Sequence, residues 1–149
     1  LSLGEINELQ KNYAQAESFF QRALAINSEV HGQDSIKTVD NVFKLANLYR
    51  DRGKYEQALS YYERLLAIRE KNLASEHPDV ALSLNFVGHV YADLAKYQEA
   101  LKYYQRARKI YENNPESQTD KYSSVLNNIA IVYSYLGNNK EAIILYEKS

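Results

Sequence analysis

The chain has 149 residues, 45% hydrophobic and 25% charged, with a formal net charge of -1. That is the profile of one ordinary globular domain with a real core, and it offers no basic excess for a nucleic-acid backbone. There is no cysteine, hence no disulfide, thiolate nucleophile or cysteine zinc site, and no apolar run long enough to span a membrane. Fourteen tyrosines stand beside five glycines, two prolines and no tryptophan or methionine, a composition that suits long helices joined by short turns.

Read in chain order, residues 1 to 10 supply a shortened helix, and the chain opens on "LSLGEI" without a methionine. The stretch "KNYAQAESFFQRALAI" (11–26) follows as a second helix, and its pattern then returns. "GKYEQALSYYERLLAI" (53–68), "AKYQEALKYYQRARKI" (95–110) and "GNNKEAIILYEKS" (137–149) place Ala16, Ala58, Ala100 and Ala142 at an unbroken spacing of 42. Phe20, Tyr62, Tyr104 and Tyr146 form a second column, and Tyr13, Tyr55, Tyr97 and Asn139 a third. Upstream, "LANLYRDRG", "VGHVYADLA" and "IAIVYSYLG" align Tyr49, Tyr91 and Tyr133. Each unit therefore reads as two helices with apolar residues at helical spacing. Gly53 and Gly137 sit where the first helix should end in a left-handed residue, while Ala95 holds that place in the third unit at a cost of about 1 kcal/mol. Gly4, Ala46, Gly88 and Ala130 share a small-residue column that lets paired helices approach.

Leu45-Ala46-x-x-Tyr49 followed by Gly53-x-Tyr55-x-x-Ala58-x-x-x-Tyr62 resembles the tetratricopeptide repeat, or TPR. The ordinary repeat is ~34 residues, and the long connector "LASEHPDVALSLNFVG" makes this chain similar to the 42-residue type of kinesin light chains. The resemblance implies an all-α fold, an α-α superhelix of antiparallel helix pairs. It reads 1–149 as a single TPR array with approximate units 1–34, 35–76, 77–118 and 119–149, a piece of a longer array.

The resemblance also implies which first-helix columns face the concave groove. In the second unit these are Asp40, Phe43, Asn47, Arg50 and Asp51; in the third, Leu82, Asn85, His89, Ala92 and Asp93. The fourth supplies Ser124, Asn127, Ile131, Ser134 and Tyr135, and the shortened first Leu1, Glu5, Glu8 and Leu9. Amides among apolar side chains suit a peptide, because an amide pairs with main chain whatever the sequence. Where the chaperone-carboxylate clamp of the family has lysine and arginine, this chain has Phe43, Asn47, Asn85, His89, Asn127 and Ile131, so that clamp is absent. Arg50 stands alone against Glu5, Glu8, Asp40, Asp51 and Asp93, so a neutral, apolar or basic ligand is expected over an acidic one. The tyrosine columns repeat with the structure and read as packing residues rather than a base-stacking platform.

The expected function is a protein–protein interaction scaffold of the adaptor or cargo-recruitment type, cytoplasmic, holding a peptide or partner helix. The alternative is a structural or regulatory array beside another domain, with end-to-end self-association. No enzyme is expected, because no nucleophile turn or phosphate-cradling loop is present. No cofactor, nucleic-acid partner or membrane is expected either. His77, Pro78 and Asp79 read as a helix start, with Pro78 as its first residue. His77 and His89 lie roughly 16 Å apart along that helix, too far to share a metal ion. His89 with Asp93 gives two ligands where zinc usually takes three or four.

Overall fold

A computed structural model describes the backbone of residues 3–114 and 120–146 and the side chains of 11–114 and 120–145. Its described elements are helical throughout: α1 (Leu3–His31), α2 (Val39–Asp51), α3 (Tyr55–Asn72), α4 (Pro78–Asp93), α5 (Tyr97–Asn113), α6 (Asp120–Tyr135) and α7 (Asn139–Tyr146). Leu1, Glu5, Glu8 and Leu9 of the expected groove, together with Gly4 and Tyr146, lie outside the described side chains. From α2 onward, short turns join the helices into pairs, the helix-pair repeat of a solenoid. Among the described residues no helix is long and apolar enough to cross a membrane.

The helix ends follow from the repeat. Ser35 and His77 share one column, and each caps the helical segment that follows. The Ser35 hydroxyl accepts from Lys37 N–H at 3.3 Å, opening a 3-10 turn (Ile36–Thr38) before α2; His77 Nδ1 accepts from Asp79 N–H at 3.1 Å. Pro78 is the first residue of α4, where its missing N–H costs nothing. At the far ends Gly53, Ala95 and Gly137 all adopt positive φ, at 68°, 56° and 81°. The next N–H then reaches back five residues: Lys54 to Tyr49 C=O at 2.9 Å, Lys96 to Tyr91 at 2.8 Å, Asn138 to Tyr133 at 2.8 Å. These are Schellman caps, and Ala95 holds a conformation that favours glycine.

One expected turn does not form. Of the expected short helix 1–10, residues 3 to 10 do not stand apart but continue into the 29-residue α1. The column that turns the chain at Gly53, Ala95 and Gly137 holds Lys11 in this unit, a good helix former, and the helix runs straight through.

The chain divides into two compact units, Leu1–Ile68 and Arg69–Ser149. In the first, Asn27 donates to Asn41 Oδ1 at 2.6 Å and Tyr49 donates to Glu17 at 2.7 Å, tying α1 to α2. Tyr49 stacks on Tyr61 with centroids 5.4 Å apart, and the fully buried Tyr62 packs edge-on against Phe43. In the second, Arg69 takes the place of Asn27, donating to Ser83 Oγ at 2.9 Å and to Asp79 C=O at 3.0 Å. Burial holds the Arg69 guanidinium below its ordinary range, the nearby Asp79 charge opposing that shift. Tyr91 stacks on Tyr103 at 5.3 Å, and the Tyr104 ring lies directly against Gly88. A Cβ on Gly88 would stand 2.6 Å from Tyr104 Cε1, so the closeness of the α4–α5 pair depends on that glycine. Each tyrosine buried this way contributes on the order of 1.5–3 kcal/mol.

Candidate functional site

In the first unit the expected groove residues lie along α2. Asp40 is exposed and pairs with Lys44 one turn on, at 2.7 Å. Phe43 is half-buried against Tyr62, and Asn47 accepts a hydrogen bond from the Tyr62 hydroxyl. Asn47 thus anchors its own helix pair. Arg50 is partly exposed, its guanidinium 4.0 Å from the carboxylate of the exposed Asp51.

In the second unit the residues lie on α4 and α6. Asn128 binds the two helices together: its Nδ2 stands 3.1 Å from Asn85 Oδ1 and 3.0 Å from His89 Nε2. Asn85 is consequently buried, with its carbonyl engaged, whereas Asn127 one repeat later is exposed. His89 presents its ring edge to Tyr104 at 5.8 Å, filling the place that Asn47 fills against Tyr62. Burial raises the Tyr104 hydroxyl above its ordinary range, and the charge of Asp93 adds to that shift. Leu82 and Ala92 are partly exposed, and Asp93, Ser124, Ile131, Ser134 and Tyr135 are exposed. The Tyr135 ring lies parallel to Tyr97, centroids 4.8 Å apart.

The structure therefore brings together Asn85, His89 and Asn128, and separately Tyr97 and Tyr135. Asn128 and Tyr97 were not among the residues expected from sequence. Asn128 shares a column with Lys44 and Phe86, so the repeat gives no hint of it; the doublet Asn127-Asn128 is the only sequence signal. Tyr97 belongs to a packing column and acquires exposed company only because Tyr135 replaces the aspartates Asp51 and Asp93 of its own column.

Among the described residues no group of three or more His, Cys, Asp or Glu side chains is placed to hold a metal ion. His77 is engaged at its cap, and His89 with Asn128. What this face offers is hydrogen-bonding and apolar contact.

Comparison with known proteins agrees with this geometry. A family model described as Tetratricopeptide repeat matches residues 1–71, 39–113 and 79–149. No curated protein sequence matches. Among solved structures, BtubC (BKLC) from P. vanneervenii is 26% identical, with a TM-score of 0.82 over 97% of this chain and 57% of that one. A Podosopora anserina protein described as a kinesin light chain of nearly identical TPR-like repeats is 22% identical, with a TM-score of 0.80 over 98% of this chain and 69% of that one. A Rap protein complexed with Competence and Sporulation Factor is 21% identical, with a TM-score of 0.75 over 93% of this chain and 37% of that one.

Proposed function

The chain belongs to the tetratricopeptide repeat family, a family of protein–protein interaction scaffolds, and from that premise we propose that it binds a peptide or partner helix along its first-helix faces. The ligand is a neutral, apolar or basic segment, recruited in the manner of an adaptor. One observation carries this reading. The α4 and α6 face of the second unit exposes Asn127 and Ile131 beside a fixed Asn85–Asn128–His89 cluster, giving amide and apolar contacts on a preorganised wall. Asp93 on the same unit disfavours an acidic ligand. The likeness to a Rap protein solved with a bound factor shows a related fold in a complex.

The residues to change are the exposed ones. Asn85→Ala would disturb the α4–α6 contact as well as any ligand, so its effect on binding is ambiguous. Asn127→Ala combined with Ile131→Ala leaves the Asn85–Asn128–His89 hydrogen bonds in place. A peptide-array screen should yield neutral or basic binders whose affinity falls at least tenfold in that double variant while Tm holds. Binding that survives the double change, or an array dominated by acidic peptides at low salt, counts against the proposal.

A second reading is favoured by α1. Phe19, Ile26 and Val30 are 68%, 60% and 67% exposed, although the Ile26 column is buried at Ile68 and Ile110. Self-association through this face would support a structural array. Sedimentation over a hundredfold concentration range, repeated with Phe19→Ser and Val30→Ser, tests it: a mass independent of concentration removes the reading.

A further inference from the structure

We propose that Tyr97, Tyr135 and Asp93 form a subsite that takes an arginine side chain of the bound peptide. This deepens the peptide-binding reading and rests on it.

The aromatic half of the subsite is the stacked pair. Tyr97 covers one face of Tyr135 with the two planes 3° apart, and Tyr135 is still 67% exposed, so its remaining surface meets solvent. An exposed tyrosine face on a solenoid wall attracts a planar cation through its quadrupole, and guanidinium does this better than ammonium because it is planar and weakly hydrated. The acidic half is Asp93, the last residue of α4, which is exposed and has no ion-pair partner among the described residues.

The register of the two helices brings the halves together. Asn128 reaches both Asn85 and His89, so it stands level with the turn between them. Alternate helices of an up-and-down series run the same way, so seven residues onward Tyr135 stands level with the end of α4, where Asp93 lies. Packed neighbouring helices lie about 8–10 Å apart, a gap that one arginine side chain bridges with its flat face on the ring and an N–H toward the carboxylate. Lys96 is the one cation of the adjoining turn; its counterpart Lys54 lies over the Tyr49 ring, 5.8 Å from the centroid.

The chain already uses this chemistry once. In the first unit the Arg52 guanidinium lies 5.9 Å from the centroid of Tyr13, which shares the Tyr97 column, and is held by the Glu17 carboxylate. In the second unit Leu136 occupies the Arg52 column, so no internal arginine supplies the cation there.

The test uses arrays of one randomised ten-residue peptide set with a fixed central arginine, lysine, citrulline or glutamate, probed with the full chain. Citrulline keeps the planar shape and removes the charge. The arginine set should bind about tenfold more tightly than the citrulline set and more tightly than the lysine set. Asp93→Asn should lower the preference of arginine over citrulline several-fold, Tyr135→Ala should remove that over lysine, and Tyr135→Phe should keep both. Both positions are exposed, so an unchanged Tm is expected and is measured alongside. Equal binding of the arginine and citrulline sets, or a preference undiminished by Asp93→Asn, overturns the subsite while leaving the peptide face standing. Absence of binding by every set from a folded chain overturns both.

Discussion

Glu17 accepts from the Tyr49 hydroxyl and from Arg52, and these contacts set how the first unit responds to acid. The hydrogen bond from Tyr49 is the main cause holding the Glu17 carboxyl below its ordinary value, with burial opposing it and Arg52 assisting. The same contact and, more strongly, burial push Tyr49 up to about 12. A carboxyl depressed in the folded state contributes stability that is fully present above its unfolded value and is lost as pH falls through the folded one. Glu17→Gln should therefore cost stability at neutral pH, by no more than about 1 kcal/mol for a partly exposed pair. The difference from the parent should shrink as pH falls through that depressed value, and urea melts at pH 7 and pH 3 measure it. A gap unchanged between the two would show that the carboxylate charge contributes nothing. Tyr111 makes the opposite case. Among the described residues its hydroxyl is buried without a hydrogen-bond partner, because the column that supplies Asn41 and Ser83 elsewhere holds Val125 here. Tyr111→Phe should be neutral or stabilising by roughly 1 kcal/mol, since an unpaired buried hydroxyl costs about that much. A loss of more than that in a thermal melt would reveal a partner for the hydroxyl.

At the scale of the element, the helix ends and the closeness of the pairs were legible in the sequence, and the reasons are local. Gly53 and Gly137 announced a left-handed residue, and the column carried the expectation to Ala95, whose φ is 56°. Ala95→Gly should stabilise the chain by about 1 kcal/mol, read as a higher urea midpoint at unchanged slope. Gly88 tests the small-residue column from the other side. Alanine is the better helix former by roughly 1 kcal/mol, yet its Cβ would overlap the Tyr104 ring, so Gly88→Ala should destabilise by about 1–3 kcal/mol. A gain in stability there would mean that the ring moves aside freely. What the sequence did not disclose was the course of α1, because a missing glycine is compatible with a turn, as Ala95 shows, and with a straight helix, as Lys11 shows. Nor did it disclose that Asn85 would be covered while Asn127 was not. The repeat assigns both to one column, and only the presence of α6 with Asn128 beside α4 separates them.

For the molecule as a whole, a helix-pair repeat buries its core between neighbours in sequence, so protection should vary along the chain rather than rise and fall as one block. In the second unit, α4 and α5 carry Val80, Leu84, Val87, Ala100, Tyr104 and Ala107 at essentially no exposure. The eight-residue α7 follows in the same unit with Ala142 and Leu145 buried but Ile143 and Ile144 exposed by more than half. Fewer apolar contacts per turn mean a lower free energy of local opening. Amide hydrogen exchange should therefore release α7 well before α4 and α5, by a factor of a hundred or more. Leu145→Ala should accelerate exchange in α7 while leaving the amides of Val80 to Val87 little changed. Leu84→Ala, a cavity in the middle of the unit costing about 2–5 kcal/mol, should instead accelerate exchange in α4 and α5 while leaving α7 little changed. If Leu145→Ala speeds exchange equally in α4, the unit opens as a single cooperative block and the nearest-neighbour picture does not apply to it. The outcome bears on the proposed binding face as well. Asn127 and Ile131 lie on α6 between the protected pair and α7, so graded opening would let the chain yield α7 while the Asn85–Asn128–His89 wall stays formed.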